Sequence, residues 1–227
     1  MKKVAIFDID GTIFRSSIVI ELVDELVKSG HFPKNAKAGY EKEFYNWLDR
    51  KGDYDDYISG VVRMFMKHIK GIPYKDFARV SERAMEENKD RVYRYTRDLV
   101  KNLKKEGYFL LAISQSPKTA LDPFCKKLGF TKVYGRIYEL GPQDRFTGKV
   151  VDEHLIENKS YILRRAVEKE GLTLKGSIGV GDTANDVSFL ELVENPICFN
   201  PDQDLYRHAM RNGWKIIVER KNVIYEL

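Results

Sequence analysis

The chain has 227 residues, enough for one large domain with an insertion or for two modest ones, each able to bury a substantial core. Its formal charge of +5 is spread over 39 basic and 34 acidic residues, which favours anionic ligands but marks out no compact basic-aromatic surface, so nucleic acid is not an expected partner. Two cysteines, Cys125 and Cys198, lie outside any CxxC or Cys/His cluster, which argues against a disulfide framework or a zinc site; no apolar run approaches a membrane span or a signal-peptide core, so a cytoplasmic chain is expected.

Lys3 to Asp8 reads as a short buried strand that ends on an acid. From about Ser16 to Asn88 no strand pattern is found. Ile18 to Ser29 has helical periodicity and stops at Gly30, Tyr40 to Lys51 stops at Gly52, Tyr54 to Lys70 stops at Gly71, and Pro73 opens a further helix. An insertion placed directly after strand 1 sits above the carboxyl ends of the strands, where open α/β sheets bind ligands. From about Tyr108 strands alternate with helices. The strands are Tyr108 to Ser114, Ser177 to Val180, Pro196 to Phe199 and Trp214 to Val218; the helices are Leu121 to Leu128, Tyr161 to Val167 and Val187 to Val193. That order predicts an α/β fold with a parallel sheet covered on both faces. Val133 to Asp152 reads as a β-hairpin with its turn near Thr147-Gly148. The expected division is a core of residues 1–15 and 90–227, a helical cap of residues 16–89, and a small hairpin insertion near 133–152.

The chemistry concentrates at strand ends. In Phe7-Asp8-Ile9-Asp10-Gly11-Thr12 the two acids start on the same side of the chain and Gly11 permits a sharp turn. Converging carboxylates repel unless a cation neutralises them, and Mg²⁺ prefers a few carboxylates together with water and substrate oxygens. Gly179-Val180-Gly181-Asp182-Thr183-Ala184-Asn185-Asp186 adds two more acids after another strand, although Asp182 and Asp186 also suit helix capping. Ser114 ends a third apolar strand and could donate to a phosphate oxygen near a helix N-terminus, with Ser116 as N-cap and Pro117 at the first helical position. Lys159 opens the helical stretch before Asp182 and could neutralise phosphate and carboxylate charge. His31, His154 and His208 have no ligand or triad spacing and receive no role.

These four elements, in this order, resemble the four motifs of the haloacid dehalogenase superfamily. Asp8-Ile9-Asp10-Gly11-Thr12 resembles motif I, Ser114 motif II, Lys159 motif III and Gly181 to Asp186 motif IV. Ser114-Gln115-Ser116-Pro117, the helical insert and Asn200-Pro201-Asp202 are similar to the phosphoserine-phosphatase-like branch. The resemblance implies a Rossmann-like core with a helical cap, and a phosphomonoesterase acting on a small phosphorylated metabolite through an aspartyl-phosphate. It implies Asp8 as nucleophile and Asp10 as general acid and base. Asp8, the backbone carbonyl of Asp10, Asp182 and a supporting Asp186 would hold Mg²⁺. Gly11, Thr12, Ser114, Lys159 and Asn185 would meet the phosphate. A phosphotransferase using the same intermediate and a slowly turning-over signalling module are the rival readings. Phosphoserine phosphatases carry a glutamate shortly after motif I; here the segment reads Arg15-Ser16-Ser17-Ile18 and the first acid is Glu21, which argues against phosphoserine as substrate. In the cap, Arg63, Lys67 and His68 could meet a second anionic group of the substrate, but a solvated helix face is the expected reading of each.

Overall fold

Strand β1 (Lys2–Phe7) turns Val4 and Ile6 to one face and Ala5 and Phe7 to the other, and all four are fully buried. A strand covered on both faces belongs at the centre of a sheet, and β1 lies there in the computed structural model, which describes residues 1–227. Four helices follow it: α1 (Ile18–Lys28), α2 (Glu41–Leu48), α3 (Tyr54–Ile69) and α4 (Tyr74–Glu87). The chain then returns through α5 (Arg94–Lys105), β2 (Phe109–Pro117), α6 (Lys118–Leu128) and β3 (Lys132–Leu140). Next come β4 (Phe146–Val151), α7 (Glu153–Glu157), α8 (Lys159–Glu170), β5 (Leu172–Gly181) and α9 (Val187–Leu190). The chain ends with β6 (Asn195–Phe199), α10 (Gln203–Asn212), β7 (Lys215–Arg220) and β8 (Val223–Glu226). No helix is long and apolar enough to cross a membrane.

The sheet order is β4-β3-β2-β1-β5-β6-β7-β8, parallel from β3 to β7 and antiparallel only at its two edges. This is a Rossmann-like sheet with a helical region inserted between β1 and β2. After β1 the chain builds outward through β2 and β3, then crosses back to β5 on the other side of β1. The strand order therefore reverses at β1, and a crevice opens at the carboxyl ends of β1, β2 and β5. One face is packed by α5 and α6 through Val100, Leu103, Leu121 and Phe124; the other is packed by α8, α9 and α10 through Leu163, Phe189, Leu190 and Leu205.

The inserted helices have a core of their own, in which Leu22, Leu26, Phe32, Phe65 and Phe77 are joined by Tyr138 and Phe146 from β3 and β4. The β3–β4 hairpin therefore packs on the insert. Its turn is not at Thr147-Gly148 as the sequence suggested. Gly141 N–H bonds the Arg145 carbonyl at 2.8 Å, and Gln143 and Asp144 take left-handed conformations between them. Pairing from Leu140↔Phe146 to Ile137↔Val151 runs through Thr147 and Gly148, which keeps Phe146 facing Phe77. Other expected bounds shift as well. Strand β2 continues to Pro117, so Ser116 is not an N-cap and α6 begins at Lys118. Helix α2 stops at Leu48, α9 stops at Leu190, and α10 and β8 carried no signal that was read from sequence.

Candidate active site

Three strand ends meet in the crevice. Asp8 follows β1, and its N–H bonds the Val180 carbonyl of β5 at 2.9 Å, so the residues after these two strands are held side by side. Asp182 comes directly after β5 and Asp186 closes the turn beyond it. Carboxylate oxygens from Asp8, Asp182 and Asp186 lie within 4.8 Å of one another. Lys159, at the first position of α8 and only 4% exposed, reaches Asp8 Oδ1 at 2.7 Å and Asp186 Oδ1 at 2.5 Å. The other oxygen of Asp186 accepts from the backbone N–H groups of Asp182 at 2.9 Å and Thr183 at 3.2 Å. Asp186 thus caps the turn and anchors Lys159 at once.

Two glycines make room for this arrangement. A Cβ on Gly11 would lie 2.0 Å from Asp182 Oδ2, and the residue has φ +78°, a backbone state that side chains disfavour. A Cβ on Gly181 would lie 2.5 Å from Asp186 Cβ. The charges are unbalanced, with three carboxylates against one ammonium. Burial pushes the carboxyl of Asp8 well above the usual range; Lys159 works against this, while Asp186 and Asp10 add to it. Asp182 is raised by burial and then by Asp8 and Asp186. For Lys159 burial opposes the charge, but Asp186 and Asp8 more than offset it and hold the ammonium above its ordinary value. A largely buried set of hard oxygen donors with excess negative charge suits a small divalent cation.

Asp10 stands outside that cluster. Its Oδ1 accepts from Ile18 N–H at 2.6 Å, Ser116 Oγ at 3.0 Å and Ser17 Oγ at 3.2 Å, and its Oδ2 accepts from Ser114 Oγ at 2.5 Å. Ser114, expected to face phosphate, is fully buried with its hydroxyl turned to Asp10. The Thr12 hydroxyl is likewise committed, donating to Asp182 Oδ1 at 3.1 Å, and Gly11 N–H bonds the carbonyls of Phe14 and Ser16. Of the residues expected to meet phosphate, Lys159 and the exposed Asn185 remain on the wall of the crevice.

The crevice holds a cavity of about 470 Å³, of the size that takes a small metabolite. Asp8, Asp10, Asp182 and Lys159 line its floor, and Tyr54, Ile58 and Val62 of α3 cover it. Sequence reasoning missed Ser17, Gln115, Ser116 and Arg136 on this wall. Ser116 was visible as a polar residue beside Pro117 but was assigned to capping; Arg136 lies in a strand with no motif around it. Arg63 reaches the wall too, but its guanidinium is largely exposed and held by Glu43 at 2.8 Å, while Lys67 and His68 lie elsewhere.

The model of the haloacid dehalogenase-like hydrolases matches residues 5–191. A histidinol-phosphatase from Neisseria meningitidis is 27% identical over 233 residues, covering 96% of this chain and 99% of that protein. Among solved structures, a protein of unknown function from Bordetella pertussis superposes with TM-score 0.73 at 18% identity, covering 95% of this chain and 98% of its own. A phosphoserine phosphatase with a phospho-aspartyl intermediate analogue superposes with TM-score 0.65 at 22% identity, covering 97% and 94%. At these identities the solved structures speak for the fold.

Proposed function

The chain belongs to the haloacid dehalogenase-like hydrolases as a phosphatase acting on a small phosphorylated molecule, and we propose that Asp8 is its nucleophile and Mg²⁺ its metal. The observation that carries this reading is the convergence of the buried Asp8 and Asp186 with the half-buried Asp182, Lys159 bridging two of them. Asp8 and Asp182 would hold Mg²⁺, with Asp186 behind them; the ion's chemistry there is neutralisation of charge on the phosphate and on the attacking carboxylate. Lys159 keeps Asp8 oriented and brings a second positive charge to the phosphoryl oxygens, and Asn185 offers them an amide. Asp8 attacks phosphorus. Asp10 gives its proton to the departing oxygen and then takes one from water, which attacks the aspartyl-phosphate. Ser114 reaches phosphate only by releasing Asp10. Most of the acceleration comes from positioning and electrostatics, as phosphoryl transfer requires.

Phosphate release from p-nitrophenyl phosphate tests the reading. Activity is expected with Mg²⁺, none after chelation, and recovery on adding the metal back. Asp8→Asn is expected to fold and not turn over. Release that survives exhaustive chelation would remove the metal from the mechanism, and turnover by Asp8→Asn would reassign the nucleophile.

A further inference from the structure

Two cations are buried at the cavity, and they are paired unequally. Lys159 has a carboxylate on each side. Arg136, in β3, is 7% exposed, yet its surroundings leave its charge largely unanswered. Nη2 donates to the neutral amide oxygen of Gln115 at 3.0 Å. The nearest carboxylate, Glu153, is 3.7 Å from Nη1 and has a side chain 53% exposed, a geometry in which solvent screens most of the attraction. Nε is shielded from water and has no partner. A buried guanidinium with an orphan N–H and only one solvent-exposed carboxylate near it is costly for the free protein. That cost is offset when a ligand brings a carboxylate, the planar acceptor that a guanidinium fork matches.

The backbone places this group beside the reacting centre. Arg136 pairs in register with Pro117, on the same strand end as Ser114 and Ser116, both of which hold Asp10. Gly135 lets β3 come this close, since a Cβ there would lie 3.1 Å from the Ser116 carbonyl oxygen and 2.9 Å from Lys118 Cα. Asp10 is the acid assigned to the departing oxygen, so Arg136 stands on the leaving-group side of the phosphate. The tyrosine two residues on, Tyr138, is pushed up to about 12 by burial, with Arg136 holding it back, so the hydroxyl stays neutral and adds no competing negative charge.

We propose that Arg136, steered by Gln115, is a specificity-determining residue that binds a carboxylate on the leaving group of the substrate. This rests on the phosphatase reading and names the substrate class: phosphomonoesters of small hydroxy acids.

Phosphoglycolate and ethyl phosphate test it, because they share a two-carbon leaving group and differ in the carboxylate. With Mg²⁺, wild type is expected to show the higher kcat/KM on phosphoglycolate, mainly through KM. In Arg136→Met the ratio of the two kcat/KM values falls on the order of 30-fold, the scale of losing a buried charged partner. Arg136→Lys, which keeps charge but loses the fork, recovers part of it. A wild type without this preference overturns the proposal, as does a methionine variant that lowers both esters equally, the behaviour of a merely structural arginine. Calorimetry on Asp8→Asn supplies the arm that does not depend on turnover, with phosphoglycolate expected to bind tighter than ethyl phosphate. Should no ester, p-nitrophenyl phosphate included, be hydrolysed with Mg²⁺, the phosphatase reading fails, while the binding comparison still decides the role of Arg136.

Discussion

The grip on Asp10 makes the two duties proposed for it separable by experiment. Ser17, Ile18, Ser114 and Ser116 all donate to it, and an asparagine can keep most of these bonds. Its Oδ1 accepts the same donors, and its amide faces Ser114 Oγ, which can turn from donor to acceptor. Asp10→Asn should therefore fold normally while losing the proton that leaves and returns. With p-nitrophenyl phosphate, whose leaving group departs without help, phosphorylation of Asp8 stays fast. Hydrolysis of the intermediate needs a base and should slow on the order of 10²–10⁴-fold. Rapid-quench kinetics are expected to show a burst of nitrophenol and a stalled aspartyl-phosphate visible by mass spectrometry; a linear time course with no phosphate on Asp8 would undo this division of labour. A second residue-scale expectation concerns substrate. Glu21, the first acid after motif I, is bound to Arg91 at 2.6 Å and lines a neighbouring cavity, while the catalytic wall has Ser17 in the corresponding stretch. With no acid there for an ammonium, phosphoserine should rank in kcat/KM below hydroxy-acid phosphomonoesters that carry no ammonium, and a screen that it wins would reverse the reading. The four acids were legible in the sequence because two strand-end pairs occur in one ordered set of motifs, although each pair alone also suits a turn or a helix cap. The orientation of Ser114 and Thr12 was not, since a hydroxyl's partner is chosen by the tertiary neighbours it meets.

At the scale of elements, the junction between sheet and inserted helices is closed by one side chain that carries no motif. The chain leaves the core at residues 13–15 and returns at 91–93, and the two crossings pair: Arg15 N–H bonds the Arg91 carbonyl at 2.9 Å, and Tyr93 N–H bonds that of Ile13 at 3.0 Å. Glu219 on β7 holds both. Its carboxylate receives Arg15 Nη2 and, at the start of α5, the N–H groups of Arg94 at 3.1 Å and Tyr95 at 2.8 Å, where a helix N-terminus favours an anion. No side chain caps α5 in its place. Glu219→Ala should cost about 2 kcal/mol through unsatisfied donors, seen as a Tm roughly 4–8 °C lower. An unchanged Tm would show that water replaces the carboxylate without loss. The alternation of strands and helices could be read because each core strand is apolar on both faces. The hairpin turn could not, because Gly148 inside β4 imitates a turn residue and the true turn uses Gln143 and Asp144 in left-handed conformations. Helix α10, with only Leu205 and Ala209 buried, and the edge strand β8, with no buried residue, present little apolar pattern to read.

For the molecule as a whole, the sheet gathers charge that the fold alone does not neutralise. Phe7 pairs with Val180, so residues distant in sequence place Asp8 and Asp182 together, and Lys159 bonds Asp8 and Asp186 while acting on Asp182 only through space. Asp182 keeps a single side-chain donor, Thr12. Its carboxyl is raised by burial, Asp8 and Asp186, so the folded chain binds that proton more tightly than the unfolded chain does. The sign follows: without metal, Asp182 destabilises the fold at pH above its folded value, and the penalty fades as pH falls toward the ordinary carboxylate range. A divalent cation bound only by the folded state reverses this. At a hundredfold excess over Kd it adds about 2.7 kcal/mol, which for a chain of this size raises Tm by roughly 5–10 °C. Asp182→Asn keeps the acceptor for Thr12 and the volume beside Gly11 while removing the charge. Scanning fluorimetry should therefore find the metal-free variant more stable than metal-free wild type, with the shift on adding Mg²⁺ largely lost. A variant less stable without metal would mean that Asp182 is held by contacts that outweigh its repulsion by Asp8 and Asp186. An undiminished shift would place the cation elsewhere. The expected pair of results, stability gained and metal response lost, would show that the fold carries this electrostatic strain for the sake of the site.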